Sequence, residues 1–460
     1  MPAFLSWPDA ATILVASSRS LELLMMHSHL LKHALVAFAL SLTLARRAHG
    51  TQPLEEFIAG ATTHGFDARE SSAVREEREA EADTSLGALL PSFTARGMYT
   101  RNQYQVAPTL PVDAFGNTQR FVIEKHNQLD GLLQIDVPLV DIANYRRYEA
   151  GKALARASRT QQGAVELELA RSVGVAYFEF IGASALVRSA ELSVQASVDN
   201  QNNVARLLNA GMATELDAQR ANASVERARQ EVADASLSVD LAAQQLETLS
   251  GLRPSPSLDF PADDLHEEAP LQRFQSEAQQ SAPAQASRAL EQAASTEERA
   301  AASAWYPKLS GSAQEHFTNA PSFTDHRAFY TLELIATLHL DYAQLANRRA
   351  QAAIRAQRGI QRERTERALF DETFAAYRRV QANIAKCRAA RVEEAAAAQA
   401  ALSAVRLYAA GSATQLDVTQ TQREAFLAGA RRIRADADLG FARVALRLSA
   451  GRMPGDARRP

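Results

Sequence analysis

One feature limits what this chain can fold into more than any other: its second half repeats its first. Residues 206–217 read RLLNAGMATELD and residues 406–417 read RLYAAGSATQLD, identical at eight of twelve positions and offset by 200. The same offset pairs Ala176-Tyr177 with Ala376-Tyr377, Ile135 with Ile335, and Asp141 with Asp341. Upstream, Leu90-Pro91-Ser92-Phe93 resembles Tyr306-Pro307-Lys308-Leu309 at an offset of 216, so the first copy is about 16 residues longer there. The extra length falls in 103–126, where Pro108, Pro111, Gly116 and Asn117 mark a surface loop. A period near 200 is far too long for a solenoid or a propeller blade and points to duplication of one large unit.

Each copy opens with alternating stretches. In 128–139 one face carries Leu129, Gly131, Leu133, Ile135, Val137 and Leu139, and the other carries Gln128, Asp130, Leu132, Gln134 and Asp136. In 330–340 one face carries Tyr330, Leu332, Leu334, Ala336, Leu338 and Leu340, against Thr331, Glu333, Ile335, Thr337 and His339. Weaker partner strands are expected at 92–102 and 305–316. Period two over about 11 residues is the length of a membrane-spanning strand, although a half-buried soluble hairpin shows the same pattern.

A very long helix should follow each hairpin. No proline lies between Pro138 and Pro254 or between Pro321 and Pro454, and Phe370, Phe374, Tyr377, Val380, Ile384 and Cys387 recur at steps of three and four. Residues 141–210 and 341–410 would each make roughly 100 Å of helix at 1.5 Å per residue. Gly211 and Gly411 suit the left-handed position that ends a helix. Thr214 and Thr414 then suit the N-cap of a returning helix, with Asp217 and Asp417 at the third position beyond.

A helix this long cannot bury its apolar stripe in one compact core and needs neighbours along its length. Four strands cannot close a barrel, and lipid does not tolerate an open sheet edge. If the strands span a membrane, several chains must share one barrel.

The remaining sequence narrows the class. Residues 1–50 read as a signal peptide: His27, His29, Lys32 and His33 precede the apolar run 34–45, and Ala48-His49-Gly50 is an acceptable cleavage site, leaving Thr51 first. Translation is expected to start at Met25 or Met26, with 1–24 a doubtful extension. No later run of 18 or more apolar residues suggests a transmembrane helix. A formal charge of −3 does not suit a nucleic-acid partner. The lone Cys387 sits at apolar helical spacing, as a packed thiol would. No HExxH, GxSxG, P-loop or CxxC occurs, so no enzyme, cofactor or metal site is expected, and His326 and His339 read as loop and lumen residues. The Arg-rich run 358–367 reads as a solvated helix face or as charge pairs between helices.

These features together resemble the TolC-type outer-membrane efflux proteins over about 53–452. The resemblance rests on Leu89-Leu90-Pro91-Ser92 and Trp305-Tyr306-Pro307 as strand starts, and on Pro138-Leu139-Val140-Asp141 and Leu338-His339-Leu340-Asp341 as strand-to-helix junctions. The two Gly-x-Ala-Thr-x-Leu-Asp turns match hairpin tips, and Leu54-Glu55-Glu56 matches an N-terminal helix start. It implies an α+β membrane protein: a homotrimer whose twelve strands form one β-barrel in outer-membrane lipid, continued by a long periplasmic α-helical barrel. It also implies a periplasmic adaptor (membrane fusion) protein and an inner-membrane RND or ABC transporter as partners, and efflux of small molecules such as drugs or metals.

By position, the adaptor would dock on the tips at Arg206, Gly211 and Thr214 and at Arg406, Gly411 and Thr414. Asp417 matches a periplasmic gate aspartate, and Tyr408 a tyrosine that links toward Asp217; simple helix caps are the plainer reading of both aspartates. Gln420 stands where some members carry a second gate acid, and Ala413 where some carry an arginine, which implies a weaker lock. The expected divisions are an N-terminal helical segment at 51–88, a first repeat at 89–253 and an equatorial linker at 254–285. A second repeat at 286–453 and a tail at 454–460 follow. A type I protein-secretion duct and a periplasmic coiled-coil or adaptor-like protein are the competing readings.

Overall fold

The computed structural model describes residues 52–111, 115–255, 263–321 and 326–454. The signal segment and its cleavage site lie outside them. The elements below belong to one unit, Pro53–Pro254 with Phe260–Pro460.

Two helices, α1 (Leu54–His64) and α2 (Phe66–Gly87), lead into strand β1 (Ser92–Arg101). A small hairpin, β2 (Thr109–Pro111) and β3 (Thr118–Arg120), occupies the extra length of the first copy. Strand β4 (Asn127–Val140) then pairs antiparallel with β1, from Ser92 opposite Asp136 to Arg101 opposite Asn127. In the second copy, β5 (Lys308–Thr318) pairs with β6 (Ala328–Thr337). The hairpins join through β4 and β5, giving one four-stranded sheet in the order β1-β4-β5-β6. Its outer strands, β1 and β6, each keep an edge unpaired among the described residues.

Two strand limits differ from the sequence reading. Trp305 lies in a short 3-10 turn, Ser303–Trp305, and β5 starts at Lys308, just past Pro307, which has no N–H to give a ladder. Strand β6 stops at Thr337, opposite Lys308 at the very start of β5, so Leu338, His339 and Leu340 have no strand to pair with. His339 therefore sits in the strand-to-helix junction, 3.2 Å from the Asp341 carboxylate. Pro138, in a central strand, is accommodated by a register shift between Pro138 and Val140.

The long helices form as their proline-free, alanine-rich sequences suggest. Helix α3 (Ile142–Asn209) and helix α7 (Tyr342–Ala409) each run 68 residues, about 100 Å. Asp141 and Asp341 cap them, accepting from the backbone N–H of Asn144 at 2.9 Å and of Gln344 at 2.8 Å. Helices α4 (Glu215–Ser250) and α8 (Gln415–Ser449) return along them. Between the repeats lie α5 (Leu271–Ala278), within 254–285, and α6 (Ala282–Ala302), which leads into the second hairpin.

The main core packs α1 against α3, α4 and α8 through Phe57, Val173, Tyr177, Phe180, Leu246 and Leu448. An eighteen-residue window of α3 reaches a mean hydropathy of 1.2, apolar enough on composition to cross a membrane. Buried residues of the same helix (Val173, Ala176, Phe180 and Ile181) belong to this core. A second cluster joins α5, α7 and α8 through Phe274, Val380, Ile384, Leu439 and Leu446. Cys387 is fully buried there and donates to Ala435 O at 3.0 Å, and burial, with Asp436 nearby, pushes its thiol up to about 11.

Candidate functional site

The sheet is built the wrong way round for a soluble protein. Pairing sets Phe93, Ala95, Gly97 and Tyr99 opposite Ile135, Leu133, Gly131 and Leu129, and sets Ile135 and Val137 opposite Ala313 and Gly311, which face Leu332 and Leu334; Glu315, between Leu133 and Tyr330, is the acid on this otherwise apolar face. That apolar face is the exposed one: Tyr330, Leu332 and Leu334 are 73, 72 and 70 % exposed. The opposite face carries a polar ladder. Gln134 donates to Asp136 at 2.8 and 2.9 Å, and Gln128 and Thr318 donate to Asp130 at 3.0 and 2.7 Å. Near the loop end of that face, a concavity of about 380 Å³ is lined by Arg96, Met98, Asp130, Leu132 and the stacked rings of His316 and Phe329, 4.9 Å apart. Apolar outward and polar inward is the alternation of a barrel wall set in lipid around water.

At the far end of the helices, the two tips share one backbone design. Helix α3 ends in a left-handed Gly211 at φ 73°, with Gly211 N donating to Leu208 O at 2.9 Å and Met212 N to Leu207 O at 2.8 Å. Helix α7 ends in the same way at Gly411, φ 72°, with Gly411 N on Tyr408 O at 3.0 Å and Ser412 N on Leu407 O at 2.8 Å. This double bond is the Schellman closure, and glycine is favoured because the left-handed region carries no penalty for it.

Reciprocal caps follow. The Thr414 hydroxyl accepts from Asp417 N at 3.2 Å, and Asp417 Oδ2 accepts from Thr414 N at 2.8 Å and from its hydroxyl at 2.7 Å. Thr214 and Asp217 make the same box at 3.2, 3.0 and 2.7 Å. Both aspartates thus cap helices, each through one carboxylate oxygen. The Thr414 bonds hold the Asp417 carboxyl below its usual range.

Tyr408 feels the Asp217 charge but makes no hydrogen bond to it. Its hydroxyl is buried with no hydrogen-bond partner among the described residues, and burial, followed by the Asp217 charge, pushes it up. Gln420 donates to Glu424 at 3.2 Å on the exposed side of α8. Arg206 and Arg406 lie in the last helical turns, where a cation suits the helix end.

Sequence reasoning missed a buried charge cluster on α8. Arg443, its side chain 7 % exposed, donates to both oxygens of Asp263 at 2.7 and 2.9 Å, to Glu268 at 2.5 Å and to His266 O at 2.8 Å. Asp436, 1 % exposed, accepts from Arg391 at 3.0 Å and Arg432 at 3.1 Å, and Arg391 also donates to Asp263 O. The cluster straps 263–268 to α7 and α8. Its signal was present: Leu439, Arg443 and Leu446 fall on one buried helical stripe, where a charge requires a partner. Asp263, Asp264 and His266 come together there, and Arg443 already engages both oxygens of Asp263.

A sheet with an apolar outside and a polar inside, continued by helical hairpins tens of ångströms long, defines a channel of the outer membrane. The model of the outer membrane efflux protein family matches residues 62–252 and 275–452, and the chain belongs to that family. It is an outer-membrane efflux channel. Among curated proteins no sequence matches. Solved structures share the fold. The channel CusC is 18 % identical at a TM-score of 0.73, covering 87 % of this chain and 92 % of that one. The Campylobacter jejuni outer-membrane channel CmeC is 14 % identical at 0.72, covering 86 % and 85 %. The open state of the Neisseria gonorrhoeae channel MtrE is 18 % identical at 0.69, covering 87 % and 89 %.

Proposed function

We propose that three copies of this chain close one twelve-stranded barrel in the outer membrane, continued by a twelve-helix periplasmic barrel. This duct passively carries small molecules such as drugs or metals out of a tripartite efflux system. The observation that supports this most directly is the inverted sheet with two free edges, which a soluble coiled-coil or adaptor-like protein has no use for. The chain performs no chemistry of its own. A periplasmic adaptor docks on the tips around Gly211 and Gly411, and an inner-membrane RND or ABC transporter supplies the energy. The duct closes at the tips, where Asp217, Asp417, Gln420 and Tyr408 gather.

Reconstitution in planar bilayers tests the duct. The protein is expected to give discrete single-channel currents; a protein that stays in the soluble fraction and conducts nothing sinks the reading. The gate has its own test, because an Asp417→Asn side chain keeps an oxygen for the cap while losing the charge. Cation block from the periplasmic side is expected to weaken. Unchanged block confines Asp417 to capping.

A further inference from the structure

Next to the sheet, the helices pack side by side in the order α2, α3, α6, α7. Helices α2 and α7 are therefore the two edges of this layer, and among the described residues each keeps one face bare of helices. Those faces differ in sign. Helix α2 carries seven acidic and three basic residues, whereas the first 26 residues of α7 carry seven arginines and two acids.

Pairing sorts these charges. The inward ones are matched inside the chain: Arg159 with Glu79 at 2.9 Å, Arg355 with Glu298 at 3.0 Å, Arg362 with Glu291 at 3.2 Å, and Arg288 with Glu366 at 3.0 Å. Several of the outward ones are not. Glu70, Glu77 and Asp83 on α2, and Arg349, Arg358 and Arg364 on α7, have no ion-pair partner among the described residues.

Each bare face also has a seam at heptad spacing. On α2 it is Phe66, Ala73, Ala80 and Gly87, and on α7 it is Ala346, Ala353, Ile360 and Arg367, all exposed. Its small members, Ala73, Ala80 and Gly87 on one side and Ala346 and Ala353 on the other, let two helix backbones approach closely. The heights agree as well. Ala82 lies against Gly151, where an added Cβ would come within 3.2 Å of the Ala82 Cα, and Gly151 corresponds to Gln351 in the second repeat. Helix α2 runs toward the sheet and α7 away from it.

We propose that α7 of one copy packs antiparallel on α2 of the next, with Ala80 against Ala353 and Ala73 against Ile360. The unpaired acids of α2 face the unpaired arginines of α7 across this seam. Its partner is a second copy of this chain, so the inference rests on the proposed closed ring and adds its contact faces, register and charge. Because the pairs are exposed at the seam's rim, salt weakens them.

Paired cysteines test it in the full chain. Ala80→Cys with Ala353→Cys, and separately Ala73→Cys with Ile360→Cys, are expected to give covalent trimers under mild oxidation, since a disulfide needs Cα atoms within about 7 Å. Either cysteine alone should give none, because Cys387 is fully buried. In parallel, Glu70→Arg with Glu77→Arg should lower the trimer's melting midpoint, and adding Arg364→Glu with Arg358→Glu, which this register sets beside them, should restore it. A trimer that neither cysteine pair cross-links and that is blind to the charge reversals overturns the seam and leaves the duct standing. A monomer by light scattering in detergent overturns both.

Discussion

At Gly411 the backbone alone decides what can stand there. A Cβ on Gly411 or Gly211 would meet nothing within 4 Å, yet φ lies near +72° at both. A β-branched side chain there pays only the left-handed penalty, roughly 1–2 kcal/mol. Gly411→Val is thus expected to fray the tip without unfolding the core, read as faster amide exchange confined to the turns on either side of Ser412. Thr414→Ala removes the reciprocal cap and should cost ~1 kcal/mol, seen in the same first turn of α8. The cap also has a pH sign. Asp417 is depressed when folded, so its contribution is whole above the unfolded value of about 3.9 and fades as pH falls through the lower folded value. Exchange in that turn should therefore accelerate only in strong acid, and Asp417→Asn should abolish the dependence. Both tips could be read from the sequence because glycine, threonine and aspartate at fixed spacing have local meanings. The silent hydroxyl of Tyr408 could not, because its lack of a partner depends on which helices surround it.

Among the elements, the strands were legible to within a few residues and failed where a neighbour decides the outcome. Alternation identified β4 and its outward face, but β6 ends early because β5 has no residue left to pair with it. The outward face makes a sharp prediction. Leu332→Arg places a charge in the apolar band, costing about 2–4 kcal/mol near the middle of a bilayer. It should lower the yield of membrane-inserted, heat-modifiable protein, while Thr331→Arg, on the polar face, should assemble normally. The strap between the repeats was hidden, since Asp263 and Arg443 lie 180 positions apart and only the fold unites them. Cutting Arg443 to alanine leaves Asp263 and Glu268 without their cation, and losing one partner of a buried pair costs roughly 3–5 kcal/mol. Urea should unfold the variant earlier, and protease should cut first in 263–270. A variant with wild-type resistance on both counts would mean the strap holds nothing.

For the whole molecule, the duplication was the most readable feature and carried most of the fold. Two hairpins and two long helical hairpins follow from it, as does the need for other chains. What the repeat could not reveal is how its copies part company. The first copy adds a small hairpin at β2 and β3, and only the second tip has an aromatic residue, Tyr408 against Leu208. Charge is also unequal, with acid on α2 at one flank and arginine on α7 at the other. Single helical periods show a polar face without saying whether water or another helix will cover it, so the run at 358–367 reads first as a solvated face and only second as paired. The fold resolves it into both: Arg362 and Glu366 turn inward to partners, while Arg358 and Arg364 remain outside.

The free edges of β1 and β6 carry a genetic consequence. If three copies must complete one another's sheet, a lesion at either edge is not confined to the chain that bears it. A cell making both sound and damaged copies would lose more ducts than its share of damaged chains, because a single faulty member breaks the ring. Lesions at these edge strands should therefore behave as dominant, whereas lesions that stop the chain from being made should behave as recessive.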